Sequence, residues 1–328
     1  MAPHCSRRSL LLAGTTLLAG MPAFAAEAYP SKTVKLIVGF PPGGPTDIIG
    51  RVIAQSLAKH LNGSVIIENR GGAGGLIGAN YVAKSKPDGY NLLLAVESSQ
   101  TRGAALNSSS IQYDQLKDFT YIRKVAKQRN LILVNPSLPV KSVKELIEYA
   151  KANPGKLNRG GTFGATSHIG GTLFDALNGT QMTFVNYAGG AQPITDLMAG
   201  ILQVGYFTEA TVASYVKSGG LRALAIAGPD RSPAFPDLPT VVESGGKPMD
   251  LAPWFGVAGP AGLPQEIVQK VGAALDKMVQ EPEFLAHLET LGALPIKGTT
   301  PEAYSKEVGD EIIYWNKWAK EQSAPLVR

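Results

Sequence analysis

The sequence predicts an α/β protein divided into two domains rather than one. Three observations support this fold class. Apolar runs typical of buried strands alternate with helical patterns along the chain. Its 328 residues can supply two hydrophobic cores. The single cysteine, Cys5, lies in an N-terminal leader, so neither disulfides nor cysteine-bound metals are expected in the mature fold.

The N-terminus has the pattern of a removable export signal. Arg7 and Arg8 precede an apolar stretch at residues 10–18, and small residues around Ala25 offer a cleavage site. We therefore expect residues 1–25 to be removed and the mature protein to lie in the periplasm. The paired arginines leave a twin-arginine route and the general secretory route both open. A retained membrane anchor is disfavoured, because a spanning helix needs about 20 apolar residues.

The first third of the mature chain has the order strand, helix, strand, helix, strand. The first helix ends at Asn62-Gly63 and the second before Pro87. The three predicted strands are TVKLIVGF, SVIIENR and YNLLLAV. This βαβαβ order is typical of a largely parallel sheet with helices on both faces.

The rest of the chain repeats this alternation. Ser142 and Glu145 form a capping box for the helix after the strand NLILVN. Further strand and helix units are predicted from MTFVNYAGG through LRALAIAG, and an apolar strand resumes at WFGVAGPAG. The C-terminal part is helical, and Thr299 with Glu302 is predicted to cap a last helix. Its tryptophans, Trp315 and Trp318, are expected to anchor that helix in the core.

The segment VGFPPGGPTDIIGR, residues 38–51, joins the first strand to the first helix. It lacks the lysine of a phosphate-binding P-loop. The first N–H groups of a helix are unpaired, and with the helix dipole they attract a carboxylate without any basic side chain. Gly43 and Gly44 let a ligand approach the backbone, and the prolines stiffen the loop. We therefore expect a small carboxylate to bind here.

One helix start is too weak to hold such a ligand alone. It contributes about 0.3–2 kcal/mol, whereas micromolar affinity requires about 8 kcal/mol. The segments ATSHIGG and NYAGGAQP in the middle of the chain are the predicted second binding surface. They would make the protein two-lobed, closing by a hinge around a small anion.

Other motifs argue against nucleotide, metal and catalytic sites. The spacing of Gly72, Gly74 and Gly78 misses the dinucleotide fingerprint and favours close packing of a helix on a strand. There is no G-x-S-x-G motif. The histidines at 60, 168 and 287 are isolated from one another and show no metal-binding spacing. For His168, a cap or a ligand contact is favoured over a nucleophile-activating role. We expect no metal, no cofactor and no catalytic residue.

Charge excludes a nucleic-acid partner. The net charge falls from +5 to +3 when Arg7 and Arg8 leave with the signal, and the remaining basic residues are scattered. Nucleic-acid binding favours basic residues clustered on one face, which this chain does not show.

Ordered segments over nearly all of the mature chain resemble the Bug-type extracytoplasmic solute receptors of tripartite tricarboxylate transporters. Among them are YPSKTVKLIVGFPPGGPTDIIGR, NYAGGAQPITDLMAG, GGLRALAIAGPDRSPAFPDLPTVVESG and WFGVAGPAGLP. The resemblance implies a type II periplasmic binding protein fold, with two lobes on central mixed sheets joined by a hinge of crossing strands. It places lobe 1 at 26–130 and 253–328, completed by the C-terminal helices, and lobe 2 at 131–252.

The resemblance also implies a carboxylate ligand held largely by backbone amides and ordered waters. The implied ligand residues come from loops of both lobes: Phe40, Pro41, Gly43, Gly44, Thr46, Asp47, Ser98, Ser99, Thr166, Ser167, His168, Tyr187, Gly189 and Gly190.

Two positions depart from the family pattern. Ala165 stands where Ser or Thr is common, and Phe207 stands near an aspartate of members suited to amino-bearing ligands. Both changes remove polar groups. They suggest a ligand with one well-held carboxylate and a less polar, aromatic far end, with Phe207 in contact with it.

The resemblance predicts a monomeric receptor that captures a small organic carboxylate and delivers it to the membrane subunits of a tripartite transporter. Two alternatives stay open from the residues alone. A ligand sensor that presents its closed form to a membrane signalling protein would have the same sequence features. A periplasmic enzyme would need a catalytic constellation that the sequence does not show.

Overall fold

The computed structural model describes residues 29–106, 111–189 and 191–321. The predicted export signal, residues 1–25, and the predicted ligand residue Gly190 lie outside these ranges. In the described part, no helix combines the length and apolar character that crossing a membrane requires.

Strands and helices alternate along the described chain. The strands are β1 (Val34–Val38), β2 (Val65–Asn69), β3 (Asn91–Val96), β4 (Phe119–Gln128), β5 (Asn130–Val134), β6 (Asn158–Gly161), β7 (Thr183–Asn186), β8 (Val204–Thr208), β9 (Arg222–Ile226), β10 (Trp254–Pro260) and β11 (Ala293–Pro295). The helices are α1 (Pro45–Leu61), α2 (Leu76–Ala83), α3 (Glu97–Gln100), α4 (Arg102–Leu106), α5 (Val143–Ala152), α6 (Thr166–Asn178), α7 (Gln192–Met198), α8 (Glu209–Lys217), α9 (Gln265–Met278), α10 (Pro282–Thr290) and α11 (Pro301–Glu321).

The strands form one mixed sheet in each lobe. Lobe 1 has the order β11-β4-β10-β3-β1-β2, in which β1 is parallel to β2 and β3 while β10 is antiparallel to β3 and β4. Lobe 2 has the order β7-β6-β8-β5-β9, in which β6 is parallel to β7 and β8 while β5 is antiparallel to β8 and β9. The mixed sheets implied by the family resemblance are confirmed.

The parallel arrangement predicted for the first three strands is confirmed, since β1 is parallel to both β2 and β3. The residue patterns do not predict the antiparallel strands of either sheet. β5 and β10 each follow a crossing between the lobes, so they join their sheets from the opposite direction to β8 and β3. The edge strand β11 also pairs antiparallel with β4. The alternation of strands and helices could not reveal these directions, because they depend on where the chain crosses.

Two segments cross between the lobes side by side. One joins β4 to β5 at Arg129, and the other runs from β9 to β10 through residues 227–253. The Asn130 Nδ2 donates to the Leu251 carbonyl at 2.7 Å, and the Gln128 N–H donates to the Pro253 carbonyl at 2.9 Å. These crossings agree with the lobe limits near 130 and 252, which remain a prediction.

The last helix packs on both lobes. Tyr304 and Val308 of α11 are buried in a lobe 1 core, whereas Trp315 and Trp318 are buried in a lobe 2 core. The anchoring role predicted for the tryptophans is therefore confirmed, although the core that they enter belongs to the other lobe. α11 thus bridges the crossing region.

The two predicted helix caps have different outcomes. Ser142 Oγ accepts from the Glu145 N–H at 3.1 Å, so the cap of α5 is confirmed. The cap predicted at Thr299 is wrong by one residue, because Thr300 Oγ1 accepts from the Ala303 N–H at 3.2 Å. Pro301 then occupies the first position of α11, where its missing N–H costs nothing.

Candidate functional site

The lobe 1 helix start, residues 43–47, joins the end of β1 to α1. Gly43 has a φ of 82°, in the left-handed region that favours glycine. Gly44 is the N-cap, with φ −80° and ψ 167°. Among the described residues, the N–H groups of Thr46 and Asp47 have no acceptor. The segment therefore offers two backbone donors at the positive end of a helix dipole.

The Asp47 carboxylate holds this segment in shape. One oxygen accepts from the Gly43 N–H at 2.9 Å and from Arg51 Nε at 2.8 Å, and the other accepts from Asn69 Nδ2 at 2.8 Å. The residue is only 1% exposed. Burial alone would raise the pKa of Asp47, but the hydrogen bonds from Arg51, Gly43 and Asn69 outweigh it and lower the pKa. Any ligand contact by Asp47 would therefore come from its N–H.

The second glycine-rich segment, residues 71–78, supports the first loop. A Cβ added at Gly78 would lie 2.8 Å from the Gly39 Cα, so no larger residue fits there without a shift. The predicted close packing of a helix on the end of a strand is confirmed. At Gly74 a Cβ would lie 3.4 Å from the backbone of Gly164 in lobe 2. The segment thus lies between the first loop and the other lobe.

Ser98 and Ser99 follow β3 and differ in their bonding. Ser99 Oγ donates to the Val96 carbonyl at 3.3 Å, and the Ser99 carbonyl accepts from Tyr113 Oη at 2.5 Å. The Ser98 hydroxyl makes no hydrogen bond to the described residues. Of the two predicted ligand residues, Ser98 is the one with an uncommitted side chain.

The lobe 2 helix start, residues 164–168, repeats the lobe 1 backbone at the beginning of α6. Gly164 has a φ of 77°, and the N-cap Ala165 has φ −82° and ψ 168°. Within the described chain, the N–H groups of Thr166 and Ser167 find no acceptor. Lobe 2 therefore presents the same pair of free first-turn donors as lobe 1.

The His168 ring fastens the lobe 2 helix start. Its Nδ1 accepts from the Gly164 N–H at 3.3 Å, and the ring lies between Phe163 and Phe184 at centroid distances of 4.7 and 4.4 Å. Burial, followed by the charge of Arg159, lowers the pKa of His168 to about 4. The ring is therefore neutral at physiological pH, and its Nδ1 is engaged by the backbone. This bond to the residue before the N-cap agrees with the predicted cap, and the ligand contact of His168 stays a prediction.

The other lobe 2 side chains are bound within the protein. Ser167 Oγ accepts from the Thr162 N–H at 3.2 Å. Tyr187 Oη donates to Asp196 at 2.6 Å, and burial together with that carboxylate raises the pKa of Tyr187 to about 12. Gly189 has a φ of 139°, so the chain turns sharply after β7. The Tyr187 N–H is also engaged, since it donates to the Gly161 carbonyl at 2.9 Å, so the ligand contact predicted for this turn rests on the backbone of Gly189.

Phe207 lies in a lobe 2 core, where it is 8% exposed and packs in a cluster with Leu131 and Val212. This placement favours a packing role over the ligand contact suggested by the sequence. The remaining predicted residues, Phe40 and Pro41, lie in the first loop, where the Phe40 carbonyl accepts from Asn69 Nδ2 at 3.0 Å. Searched over the described ranges, the structure holds no cluster of three or more metal-ligating side chains.

The geometry of two helix starts in two lobes can be compared with known proteins. The model of the tripartite tricarboxylate transporter receptor family matches residues 49–322. The chain belongs to this receptor family. BugT of Bordetella pertussis is 33% identical over 303 residues, which cover 92% of this chain and 93% of BugT.

Solved structures agree with this membership. R. palustris Rpa4515, solved with adipate, is 34% identical with a TM-score of 0.82, over 90% of this chain and 98% of that one. MatC from Rhodopseudomonas palustris, solved with bound malate, is 29% identical with a TM-score of 0.81, and the match covers 89% of this chain and 100% of MatC. The protein is therefore a periplasmic solute-binding receptor of the tripartite transporter type.

Three residues around the receptor's helix starts are not predicted from the sequence. Asn69 ends β2, beside the end of the parallel strand β1, so the rule that such ends meet at one sheet edge could have found it. Glu97 and Arg102 form a buried ion pair at 3.2 Å after β3. No spacing rule in the sequence indicates this pair, because both residues lie in short helices that lack a periodic pattern.

Proposed function

We propose that this receptor captures a small organic carboxylate between its lobes and delivers it to the membrane subunits of a tripartite transporter. The free N–H groups of the two helix starts hold the carboxylate, and the turn after β7 and the Ser98 hydroxyl add contacts. The protein works as a monomer, without cofactor or turnover, after export to the periplasm by its N-terminal signal.

The observation that carries the proposal is the repetition of one anion-binding backbone in both lobes. Gly164 of the lobe 2 helix start lies against Gly74, and the same glycine-rich segment of lobe 1 contacts Phe40 through Gly75. The two helix starts are thus linked by one short segment. Charge-assisted hydrogen bonds contribute about 1.5–3 kcal/mol each, so four donors supply what one helix start cannot.

The ligands of relatives support a carboxylate. Rpa4515 was solved with adipate and MatC with malate. Both are small acids with carboxylates at the ends of a short carbon chain. Backbone donors recognise the carboxylate that such acids share, so the proposal concerns the class of ligand.

Calorimetry on the mature protein tests the proposal. We expect one-to-one, saturable binding of at least one acid among malate, succinate, adipate and hexanoate, with the acid recovered unchanged. Absence of binding to every carboxylate, or conversion of the bound acid into product, would contradict the proposal. For delivery, a strain that lacks the gene should lose uptake of the bound acid and regain it on complementation.

A further inference from the structure

One carboxylate of lobe 1, that of Glu97, makes a hydrogen bond to the lobe 2 helix start. Glu97 follows β3 in lobe 1 and is 3% exposed. Its Oε1 accepts from Thr166 Oγ1 of the lobe 2 helix start at 2.6 Å and from Arg102 Nη2 at 3.2 Å. Thr166 is one of the two lobe 2 residues with a free N–H, so the Glu97 side chain lies beside a carboxylate donor.

Arg102 fixes the Glu97 carboxylate from behind. The guanidinium is 4% exposed, donates through Nη1 to the Asp250 carbonyl at 3.1 Å, and lies 5.3 Å from the Trp315 ring centroid. It is therefore anchored to the crossing segment and to α11. An ion pair held this way keeps its geometry, since neither partner can swing into solvent.

The second oxygen of Glu97 is uncommitted. Within the described residues no donor reaches Oε2, and this atom is not among the polar atoms sealed from solvent without a partner. A ligand that covers this oxygen without offering a donor leaves a buried acceptor unpaired, which is costly.

A second ligand carboxylate fits this position poorly. It would place two acceptors against each other at Oε2. A hydroxyl or an amino group would instead donate a hydrogen bond to Oε2. Glu97 thus complements a donor and opposes an acceptor at one end of the ligand.

We propose that Glu97 determines the ligand class of this receptor: acids that carry a hydroxyl or amino group away from the held carboxylate are selected over dicarboxylates of the same length. This inference rests on the proposed carboxylate-receptor function. It replaces the apolar far end suggested by the sequence, because Phe207 packs in a core.

Two ligand series of matched length test the inference by calorimetry. The four-carbon series is butyrate, 4-hydroxybutyrate, 4-aminobutyrate and succinate; the six-carbon series is hexanoate, 6-hydroxyhexanoate, 6-aminohexanoate and adipate. In the wild-type protein we expect the hydroxy or amino acid of the better-fitting series to bind at least tenfold more tightly than the dicarboxylate.

Glu97→Gln is the decisive variant, since glutamine keeps one acceptor for Thr166 and Arg102 but replaces the free oxygen with a donor. We expect the preference to shift by at least tenfold towards the dicarboxylate. Glu311→Gln is the matched control. Glu311 accepts from Thr101 Oγ1 at 2.7 Å and from Trp254 Nε1 at 3.1 Å, next to the same segment but without a bond to lobe 2. This control should keep the wild-type ranking.

The outcomes separate the two proposals. The inference is wrong, while the receptor function stands, if two results are found together. The dicarboxylate binds with an affinity equal to or higher than that of the hydroxy or amino acid, and Glu97→Gln leaves the order of affinities unchanged. If no member of either series binds, the carboxylate-receptor proposal fails and the inference fails with it. If the Glu97→Gln protein does not fold, Glu97→Asp replaces it. The shorter side chain moves the free carboxylate oxygen away from the ligand and should weaken the preference for hydroxy and amino acids.

Discussion

The two helix starts share one backbone and differ in the side chain that fastens it. In each, a left-handed glycine precedes an extended N-cap, and the third helical residue reaches back to the glycine N–H. In lobe 1 that residue is the charged Asp47, whereas in lobe 2 it is the neutral His168. The comparison teaches that either side chain, carboxylate or imidazole, can accept from the glycine N–H and so keep the first-turn N–H groups in the same directions. Which of the two is present decides the charge beside those groups.

The charge difference has a consequence for anion binding. The negative charge of Asp47 would repel an anion, and it is balanced by the positive charge of Arg51, while Asn69 donates a hydrogen bond to the same carboxylate. The neutral His168 needs no such balance, and lobe 2 already faces the carboxylate of Glu97 across the site. Each lobe therefore limits the negative charge beside its free N–H groups in its own way.

The largest expected difference between the helix starts is their response to acid. The pKa of His168 falls from 6.5 to about 4 in the folded protein, so the unfolded chain binds a proton more readily. The contribution of the neutral ring to the free energy of unfolding is therefore fully present above pH 6.5. About 3 kcal/mol of it is lost as the pH falls towards 4. The pKa of Asp47 is lowered from 3.8, so its contribution is lost only at still lower pH.

Urea unfolding at about pH 7 and about pH 4.5 measures this difference. His168→Asn keeps an acceptor for Gly164 that does not titrate, so its free energy of unfolding should fall less with acid than that of the wild type. His287→Asn, at an exposed position, is the matched control and should keep the wild-type dependence. Equal acid dependence in wild type and His168→Asn would contradict the proposed fastening.

The next largest effect concerns ligand binding by the two lobes. Thr46→Pro and Ser167→Pro each remove one first-turn N–H, and a charge-assisted hydrogen bond is worth about 1.5–3 kcal/mol. We expect each variant to lose roughly ten- to hundredfold in affinity for the tightest-binding acid, by calorimetry. Thr46→Ala and Ser167→Ala keep the N–H and serve as controls. If only the lobe 1 variant loses affinity, the lobe 2 helix start is not a ligand surface.

A smaller effect is expected from the carboxylate that fastens lobe 1. Asp47→Asn leaves one oxygen for donors from Gly43, Asn69 and Arg51, so at least one buried donor loses its acceptor. We expect the free energy of unfolding to fall by about 1–2 kcal/mol, measured in urea at neutral pH. An unchanged value would mean that Gly43 and Asn69 do not depend on this carboxylate.

The smallest effect is expected at Arg51. Its side chain is 56% exposed, and exposed ion pairs contribute little to stability. Arg51→Gln should therefore stay within the error of the urea measurement while Asp47→Asn does not. If Arg51→Gln lowered the free energy of unfolding as much as Asp47→Asn, the ion pair between Arg51 and Asp47, rather than the hydrogen bond from the Gly43 N–H, would be what stabilises the lobe 1 helix start.

The sequence could predict features that depend on local backbone chemistry. The Gly43-Gly44-Pro45 loop, the cap of α5 and the cap by His168 each involve residues within five positions of one another. Alternation of apolar runs could likewise predict the α/β class and most element positions. What it could not supply was strand direction after each crossing of the hinge, since direction depends on contacts between distant segments.

The side chains around the site show the same limit. Asn69 reaches Asp47 only because β2 lies beside β1, and Glu97 meets Thr166 only because the lobes meet. The family resemblance implies that Phe207 contacts the ligand, whereas its side chain packs in a core cluster. The face of β8 on which Phe207 lies follows from its pairing with β5, which the sequence pattern does not fix.

The crystal structure of the protein with the tightest-binding acid of the four- and six-carbon series tests the central claim most directly. We predict a carboxylate oxygen within about 3.2 Å of a first-turn nitrogen in each lobe, at Thr46 or Asp47 and at Thr166 or Ser167. A bound acid whose carboxylates touch neither helix start, or only side chains, would contradict the account.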